Sequence, residues 1–175
     1  MADLKISQLT SATTPLAGTE LVPIVQSSTT KKVAVSAFTS YGPAFRAESA
    51  SNQNINNGAW TKVTLGTETF DTNSNFASST FTPTVAGYYQ VNLLAQINTP
   101  NFPAAVRLYK NGSGTTYNVG GYQIAALNGT VSLSDLVYMN GTTDYLEMYA
   151  IQISGGSTDL VAGLCVFSAS FVRGA

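Results

Sequence analysis

Glycine-containing turn signals recur through most of this chain and divide it into short apolar segments. Asn-Gly pairs begin at Asn57, Asn111, Asn128 and Asn140, and a Gly-Gly pair begins at Gly155. Asn-Gly tolerates the positive φ angles of a tight hairpin turn, so each pair predicts a reversal between two strands. Strand-forming and turn-forming residues dominate the composition and helix formers are scarce. These features restrict the chain to an all-β architecture.

About ten segments between the turns have strand character. We predict strands over Ala44–Ala47, Thr61–Leu65, Glu68–Phe70, Thr80–Pro83, Gly87–Ile97, Ala105–Lys110, Tyr117–Leu127, Gly129–Met139, Tyr145–Ile153 and Leu164–Val172. Many short strands with regular turns indicate a β-sandwich or jelly roll rather than strands alternating with helices. The predicted fold class is therefore all-β, a jelly-roll β-sandwich with a short extended or hairpin arm at the N-terminus.

The alternation of side chains along the last strands predicts which faces are buried. In the closing segment, Cys165, Phe167, Ala169 and Phe171 point to one side and form an apolar face. The segment Tyr145–Ile153 is apolar on both faces. A sandwich buries only one face of each sheet, so a second apolar face predicts contacts between subunits.

The first forty residues differ from the rest and are predicted to form a separate arm. We place the domain boundary so that residues 1–40 form the arm and residues 41–175 form the β-domain. The arm holds two apolar runs, Glu20–Val25 and Lys32–Val35, which read as two strands joined by a loop. Pro23 cannot donate to a ladder, so the first run should be an edge strand or an irregular extended segment. A hairpin of this size is not stable alone in water and needs a partner surface.

Charge and composition exclude several classes of function. Charged residues make up 10% of the 175 residues, the net charge is −1, and eight Lys and Arg are too few to neutralise a nucleic acid backbone. The absence of His, with Cys165 as the single thiol, excludes Ser-His-Asp triads, zinc sites of the His/Cys kind and internal disulfides. No cofactor is expected. The N-terminus lacks an apolar signal-peptide centre and no apolar run is long enough to span a bilayer, so we expect synthesis in the cytoplasm and no membrane insertion.

Five acidic residues of the β-domain are candidates for chemistry. They are Asp71, Asp135, Asp144, Glu147 and Asp159. A pair of carboxylates could bind calcium or serve as acid and base in glycoside cleavage. Asp144 and Glu147 are separated by three positions, which places them on opposite faces of one strand. Turn capping and a solvated carboxylate are the simpler interpretation.

Tyrosine and phenylalanine together supply 17 rings, many of them in strands. We expect core and trimer packing from six of them: Phe81, Tyr89, Tyr145, Tyr149, Phe167 and Phe171. Tyr117 and Tyr122 lie near loops and are candidate receptor contacts. The alternative interpretation is that aromatic side chains line a groove and stack on the sugar rings of a bacterial surface glycan.

Three segments of the β-domain resemble one known superfamily. They are Thr80–Val91, the Leu-Tyr-Lys-Asn-Gly hairpin within Val106–Gly112, and Cys165–Phe171. Over about residues 44–172 the chain resembles the trimeric jelly-roll family of complement first-component globular heads and tumour necrosis factor. Val91 departs from the pattern, since the family usually has Phe there, and Ser134-Asp135-Leu136 lacks the family's Gly-Asp pair. The resemblance implies a trimeric jelly roll.

The N-terminal arm resembles a leader found in structural proteins of tailed bacteriophages. The resemblance lies in Lys5–Leu9, Pro15–Val25 and Thr30–Val33, and such leaders attach fibres and decoration proteins to the virion. It implies that the arm docks on the virion through Leu21, Val22, Pro23, Ile24, Val25, Lys31, Lys32 and Val33.

Together the two resemblances imply a homotrimeric structural protein on the surface of a tailed-phage virion. Its partners would be further copies of itself and the major capsid protein or a tail or portal component. No collagen, heptad or β-helix repeat separates arm from domain, which favours a capsid decoration, cement or head-fibre protein over a long tail fibre. The first alternative is a tail-fibre tip or adhesin that binds a host surface glycan or protein. A polysaccharide hydrolase is a weaker alternative, and no enzymatic activity is expected.

Overall fold

The structure, a computed structural model, describes residues 21–34, 42–98, 102–114, 119–124 and 129–174, with only the backbone described for 119–124. Every regular element in these ranges is a β-strand, which confirms the predicted all-β class. None of the described elements is a helix with the length and apolar character needed to cross a bilayer. In chain order the strands are β1 (Leu21–Gln26), β2 (Thr29–Ala34), β3 (Ala44–Glu48), β4 (Gln53–Ile55), β5 (Thr61–Lys62), β6 (Thr67–Asp71), β7 (Phe76–Ala77), β8 (Thr80–Phe81), β9 (Gly87–Gln96), β10 (Pro103–Lys110), β11 (Val119–Ile124), β12 (Thr130–Met139), β13 (Leu146–Gln152), β14 (Thr158–Leu160) and β15 (Val166–Arg173).

Residues 1–41 and 42–175 form two units, and the described part of the first is a hairpin. β1 and β2 pair antiparallel, from Leu21 opposite Ala34 to Gln26 opposite Thr29. Ser27 and Ser28 form the turn, with φ angles of 53° and 59°. Two consecutive positive φ angles are typical of a type I′ turn, whose twist matches that of the strands. The described N-terminal residues therefore form the expected hairpin.

The second unit is a sandwich of two antiparallel sheets. The first sheet has the strand order β12-β9-β15-β3-β6. The second sheet has the order β11-β10-β13-β8-β7, and β5 also pairs with β13. β4 and β14 form a separate two-stranded pair. Neighbours in the sheets are mostly distant in sequence, which is typical of a jelly roll rather than of a meander.

Aromatic rings fill the space between the two sheets. Phe45 on β3 stacks on Phe76 and Phe81 with ring centroids 4.6 Å and 4.5 Å away, and it meets Phe167 of β15 edge-on at 4.8 Å. All four side chains are buried. Offset-stacked and edge-on arrangements are the favourable geometries for such pairs, so this cluster ties the two sheets together.

Tyr89 extends the cluster from near the start of β9. Its ring packs edge-on against Phe81 at 5.6 Å and Phe171 at 5.4 Å. Its hydroxyl donates a hydrogen bond of 2.7 Å to the carbonyl of Val85. Burial raises the pKa of Tyr89 to about 12 because the phenolate would lose its hydration.

Two tight turns of the sandwich show what the sequence signals revealed and what they missed. Asn111 and Gly112 have φ angles of 54° and 75°, the predicted type I′ geometry. Ser78 and Ser79 form a similar turn between β7 and β8, with φ angles of 50° and 58°. Serine is not a favoured residue in such turns, so this reversal was not predicted. Ser79 is kept there by its buried hydroxyl, which accepts a 2.8 Å hydrogen bond from the Leu65 amide.

Strand boundaries differ from prediction mainly where segments are short. β4 and β14 were not predicted, because three residues are too few to show an alternation. The predicted strand Tyr117–Leu127 is described over Val119–Ile124, and its remaining residues lie outside the described ranges. The closing strand begins at Val166 rather than Leu164. Its predicted apolar face is confirmed, since Cys165, Phe167 and Ala169 are buried.

Candidate interaction surfaces

The outer face of the first sheet exposes large apolar side chains. Tyr88 and Leu94 lie on β9, and Leu136 and Tyr138 lie on β12. Their exposed fractions are 37%, 36%, 52% and 42% in that order. Tyr88 and Tyr138 are opposite each other, with ring centroids 5.6 Å apart. We call these four residues and the polar groups between them the first-sheet face.

Neutral polar groups occupy the middle of the first-sheet face. A groove of about 270 Å³ is lined by Asn92, Leu94, Ser132, Ser134, Val166 and Ser168, together with Leu93 and Leu133. Ser134 donates to the Asn92 amide oxygen at 2.9 Å and accepts from the Gln90 amide at 2.8 Å. The groups already bond to one another, so covering them leaves few polar atoms without partners. The face is therefore suited to burial against another protein surface.

The outer face of the second sheet carries a different group of side chains. Arg107 and Tyr149 lie opposite each other on β10 and β13. The Arg107 guanidinium carbon lies 4.6 Å from the ring centre of Trp60, a cation–π geometry. Tyr109 and Tyr149 stack with centroids 3.8 Å apart at 23°. We call Trp60, Arg107, Tyr109 and Tyr149 the aromatic–arginine cluster.

The cluster is partly buried, and this affects the acidity of Tyr149. Burial, followed by the nearby charge of Glu147 and the neighbouring phenols Tyr109 and Tyr145, raises the pKa of Tyr149. The backbone of Gly114 lies close against the side chains of Tyr109 and Arg107. A Cβ at this position would lie 2.6 Å from the Tyr109 ring and 2.7 Å from Cδ of Arg107. Only glycine lets the backbone approach so closely, so Gly114 holds both side chains in place.

Charges beside the cluster are paired, whereas Arg107 has no ion-pair partner within the described part of the chain. Lys62 forms an ion pair of 2.7 Å with Glu147 and donates a 2.7 Å hydrogen bond to the Thr80 hydroxyl. The ion pairs within the described residues join Arg46 to Glu48, Lys62 to Glu147 and Lys110 to Asp144. Nε of Arg107 is buried and has no hydrogen-bond partner among the described residues.

A polar network fastens the turn after β10 to the loop before β13. Asp144 accepts hydrogen bonds from the Asn111 side chain at 2.8 Å and from the Asn140 amide at 3.0 Å, and it pairs with Lys110 at 2.8 Å. Burial alone would raise the pKa of Asp144. The hydrogen bonds from Asn111, Lys110 and Asn140 and the charge of Lys110 outweigh burial and lower it. Asp144 is therefore a structural carboxylate.

The other acidic candidates are also engaged in local structure. Asp71 accepts from the amides of Asn73 and Phe76, Asp135 from the amide of Leu136, and Asp159 from the side chain of Asn54. No group of three or more potential metal ligands occurs within the described residues. The carboxylates thus act as turn caps and ion-pair partners.

The hairpin of the first unit exposes several of the residues expected to dock. Leu21, Val22 and Val25 have exposed fractions of 57%, 37% and 75%, and Ile24 is half-buried. Pro23 lies opposite Lys32, and Val22 lies opposite Val33. Lys31 donates a 3.3 Å hydrogen bond to the Gln26 side chain across the hairpin. The expected docking residues therefore form one continuous antiparallel ladder.

The aromatic residues predicted for core and trimer packing separate into two groups. Phe81, Tyr89 and Phe167 are fully buried within one chain, and Phe171 packs against them. Tyr145 and Tyr149 are half-buried on the outer face of the second sheet, because the core face of β13 is formed by its even-numbered residues. Tyr117 lies outside the described residues. Tyr122 belongs to β11, whose side chains are likewise outside the described part.

Sequence reasoning missed the residues of the first-sheet face and two members of the aromatic–arginine cluster. Leu136 and Tyr138 alternate with the buried Val137 and Met139 on β12, a signal that could have assigned them to an outer face. The approach of Arg107 on β10 to Trp60, just before β5, joins residues far apart in sequence, and no local pattern indicates it.

Comparison with solved structures supports the fold, whereas comparison with protein families and curated proteins finds no match. No protein-family model matches the chain, and no curated protein matches its sequence. The solved structure of murine APRIL matches with a TM-score of 0.57 and 7% identity, over 75% of this chain and 99% of that one. PRD1 vertex protein P5 matches at 0.56 and 15%, over 75% and 96%. The Eiger TNF structure from S. frugiperda matches at 0.50 and 8%, over 77% and 93%.

These likenesses confirm the predicted jelly-roll β-sandwich of the tumour-necrosis-factor type. One of the matching proteins is a vertex protein, PRD1 P5. At identities of 15% or less, the likeness describes the arrangement of the strands.

Proposed function

We propose that this chain is a homotrimeric structural protein on the surface of a tailed-phage virion. The observation that carries the proposal is the first-sheet face, on which Leu94, Leu136 and two tyrosines are exposed on an otherwise well-packed sandwich. Large apolar side chains exposed together, as Tyr88, Leu136 and Tyr138 are at one end of this face, mark a surface that associates. From Gln90 to Leu94 and their partners on β12 and β15, the outward-facing rows hold no charged side chain, whereas Arg173 lies opposite Tyr88 at one end of the face. Burial of these uncharged rows between copies therefore requires no desolvation of charge.

The trimeric state is inferred from the fold. The chain matches solved structures of the tumour-necrosis-factor type, and its sequence resembles that trimeric family. A closed ring of three copies would bury the apolar ends of the first-sheet face, which are Tyr88, Leu136 and Tyr138 at one end and Leu94 at the other. Closed symmetry limits growth to a defined particle.

Placement on a virion rests on two supporting observations. The jelly roll resembles the PRD1 vertex protein, and the N-terminal arm resembles the attachment leader of phage structural proteins. The hairpin of the arm exposes Leu21, Val22 and Val25 beside Lys31 and Lys32. One small hairpin binds weakly, but three arms in one trimer raise the effective concentration for docking.

The virion partner of residues 1–40 is proposed to be the major capsid protein, with a tail or portal component as the alternative. As a decoration, cement or head-fibre protein, the trimer would bridge neighbouring subunits and stabilise the shell by binding its assembled form. We assign no catalytic activity to the chain, because Asp144 and Glu147, the carboxylates considered for hydrolysis, are held in ion pairs with Lys110 and Lys62.

Truncation and imaging test the virion role. Removal of residues 1–40 should leave a folded trimer that is absent from purified particles. A full-length Leu21→Ser/Val25→Ser variant should incorporate poorly, whereas Thr29→Ser, a conservative change at an exposed position of the same hairpin, should incorporate normally. Normal incorporation of the truncated protein would refute the docking role. Electron microscopy of intact particles would distinguish capsid from tail attachment.

A further inference from the structure

Arg107 is half-buried and has no carboxylate partner among the described residues. It lies in the middle of β10, flanked across the sheet by Tyr149. Its stem lies under Gly114, its guanidinium lies over Trp60, and its Nε has no hydrogen-bond partner among the described residues. A partly desolvated guanidinium without a counter-charge favours an anion.

The surroundings of Arg107 are rings and hydrogen-bonding groups rather than further cations. Trp60 and the stacked pair Tyr109 and Tyr149 provide flat apolar surface. Glu147 precedes Tyr149 by two residues on β13 and so lies on the same outer face. It is opposite Tyr109 on one side and Thr80 on the other. The negative charge of Glu147 is compensated by Lys62 at 2.7 Å, so it repels a second anion only weakly. Its Oε1 already accepts from Lys62 and from the Thr80 hydroxyl, which leaves Oε2 to accept a further hydrogen bond.

We propose that the aromatic–arginine cluster binds a carboxylate-bearing sugar residue. The terminal nitrogens of Arg107 pair with the sugar carboxylate, the planar geometry for which guanidinium is suited. The rings of Trp60 and Tyr149 contact the apolar C–H face of the sugar. Oε2 of Glu147 accepts a hydrogen bond from one of its hydroxyl groups. The chemistry recognised is thus that of an acidic polysaccharide.

Other anionic partners fit the cluster less well. A nucleic acid presents a row of phosphates, and the cluster offers one unpaired cation. An extended acidic peptide would be expected to add to a sheet edge, whereas β13 lies inside its sheet between β10 and β8. A sugar is bound by flat apolar protein rings together with isolated polar groups, and the cluster offers this combination.

The site is independent of the proposed virion role. It lies on the outer face of the second sheet, and the proposed trimer contact lies on the outer face of the first. Loss of one function would therefore leave the other measurable.

The single tryptophan of the chain makes the proposal directly testable. Full-length protein is titrated with trigalacturonic acid while the fluorescence of Trp60 is recorded. A saturable change is expected with this probe, and none with maltotriose, a neutral trisaccharide. An equal response to poly-L-glutamate or to sulfate would overturn the assignment to a sugar, because the rings would then contribute nothing. Absence of a saturable response at millimolar trigalacturonic acid would overturn the site itself.

Variants distinguish a requirement for the planar guanidinium group from a requirement for positive charge alone. Arg107→Lys keeps the positive charge but loses the planar fork, and we expect binding at least about tenfold weaker. Arg46→Lys makes the same change on the first sheet, where Arg46 is paired with Glu48, and should bind as wild type does. Unfolding temperatures of both variants establish that they are folded. Undiminished binding by folded Arg107→Lys would contradict the assigned contact.

Discussion

Truncating Leu136 should weaken assembly far more than it weakens the fold of one chain. Leu136 is 52% exposed on the first-sheet face, so about half of its side chain remains to be covered by a neighbouring copy. Leu136→Ala removes three carbons worth about 0.8 kcal/mol each when fully buried, or about 1.2 kcal/mol for the half covered on assembly. Three copies give about 3.6 kcal/mol per trimer.

This loss converts into a measurable shift in concentration. About 3.6 kcal/mol changes the trimer dissociation constant about 400-fold. For a monomer–trimer equilibrium, the concentration at half-dissociation varies as the square root of that constant. It should therefore rise about twentyfold for Leu136→Ala. Sedimentation velocity over a dilution series measures this midpoint.

Ile153→Ala provides the matched control. Ile153 is 41% exposed just beyond the end of β13 in the second sheet, and the substitution also removes three carbons. It should leave the midpoint unchanged. A midpoint for Leu136→Ala that equals the wild-type value, or that moves no further than that of Ile153→Ala, would refute the assignment of the first-sheet face. A monomeric wild-type protein at micromolar concentration would refute the trimer itself.

Three further predictions concern the sandwich. The lowered pKa of Asp144 means that its contribution to stability is present above the pKa of the unfolded chain and is lost as pH falls through the folded-state pKa. Asp144→Asn should accordingly flatten the acid limb of a plot of unfolding temperature against pH, and an unaltered limb would contradict this. Burial raises the pKa of the Cys165 thiol, so Ellman's reagent should react with it slowly in native protein and at once in denaturant. Fast reaction in the native state would show that the thiol is accessible. Ser78→Asn should stabilise the β7–β8 turn by about 0.5 kcal/mol, because asparagine tolerates φ of 50° better than serine does. Chemical denaturation measures that gain, and the exposed Thr82→Ser is its control.

Local signals in the sequence predicted the fold class because they depend on neighbouring residues alone. The turn at Asn111 is an example, since its two positive φ angles follow from the Asn-Gly pair. The buried face of β15 follows in the same way from the alternation of Phe167 and Ala169. On β13 both faces are apolar, so alternation alone could not distinguish the core face, which the structure assigns to Leu146 and Met148.

The candidate surfaces depend on contacts between distant parts of the chain and were therefore harder to predict from the sequence. Pairing of β9 with β12 brings Tyr88 beside Tyr138, and pairing of β13 with β5 brings the Trp60 region beside Arg107. The resulting contacts, Tyr88 with Tyr138 and Trp60 with Arg107, join residues about fifty positions apart, and no periodicity in either segment encodes them. The serine turn at Ser78-Ser79 was missed for a similar reason, because the Ser79 hydroxyl is held by the distant Leu65 amide.

The two ends of the sandwich unit are neighbours in one sheet. Ala44 at the start of β3 is opposite Ser170 in β15, and the Phe171 amide donates a 3.0 Å hydrogen bond to the Pro43 carbonyl. A short peptide could therefore join the last strand to the first without disturbing either. The unit is consequently suited to circular permutation, with new termini opened at an exposed loop such as the one containing Gly155. A permuted chain of this kind would let the N-terminal hairpin be transplanted to a different edge of the same sandwich.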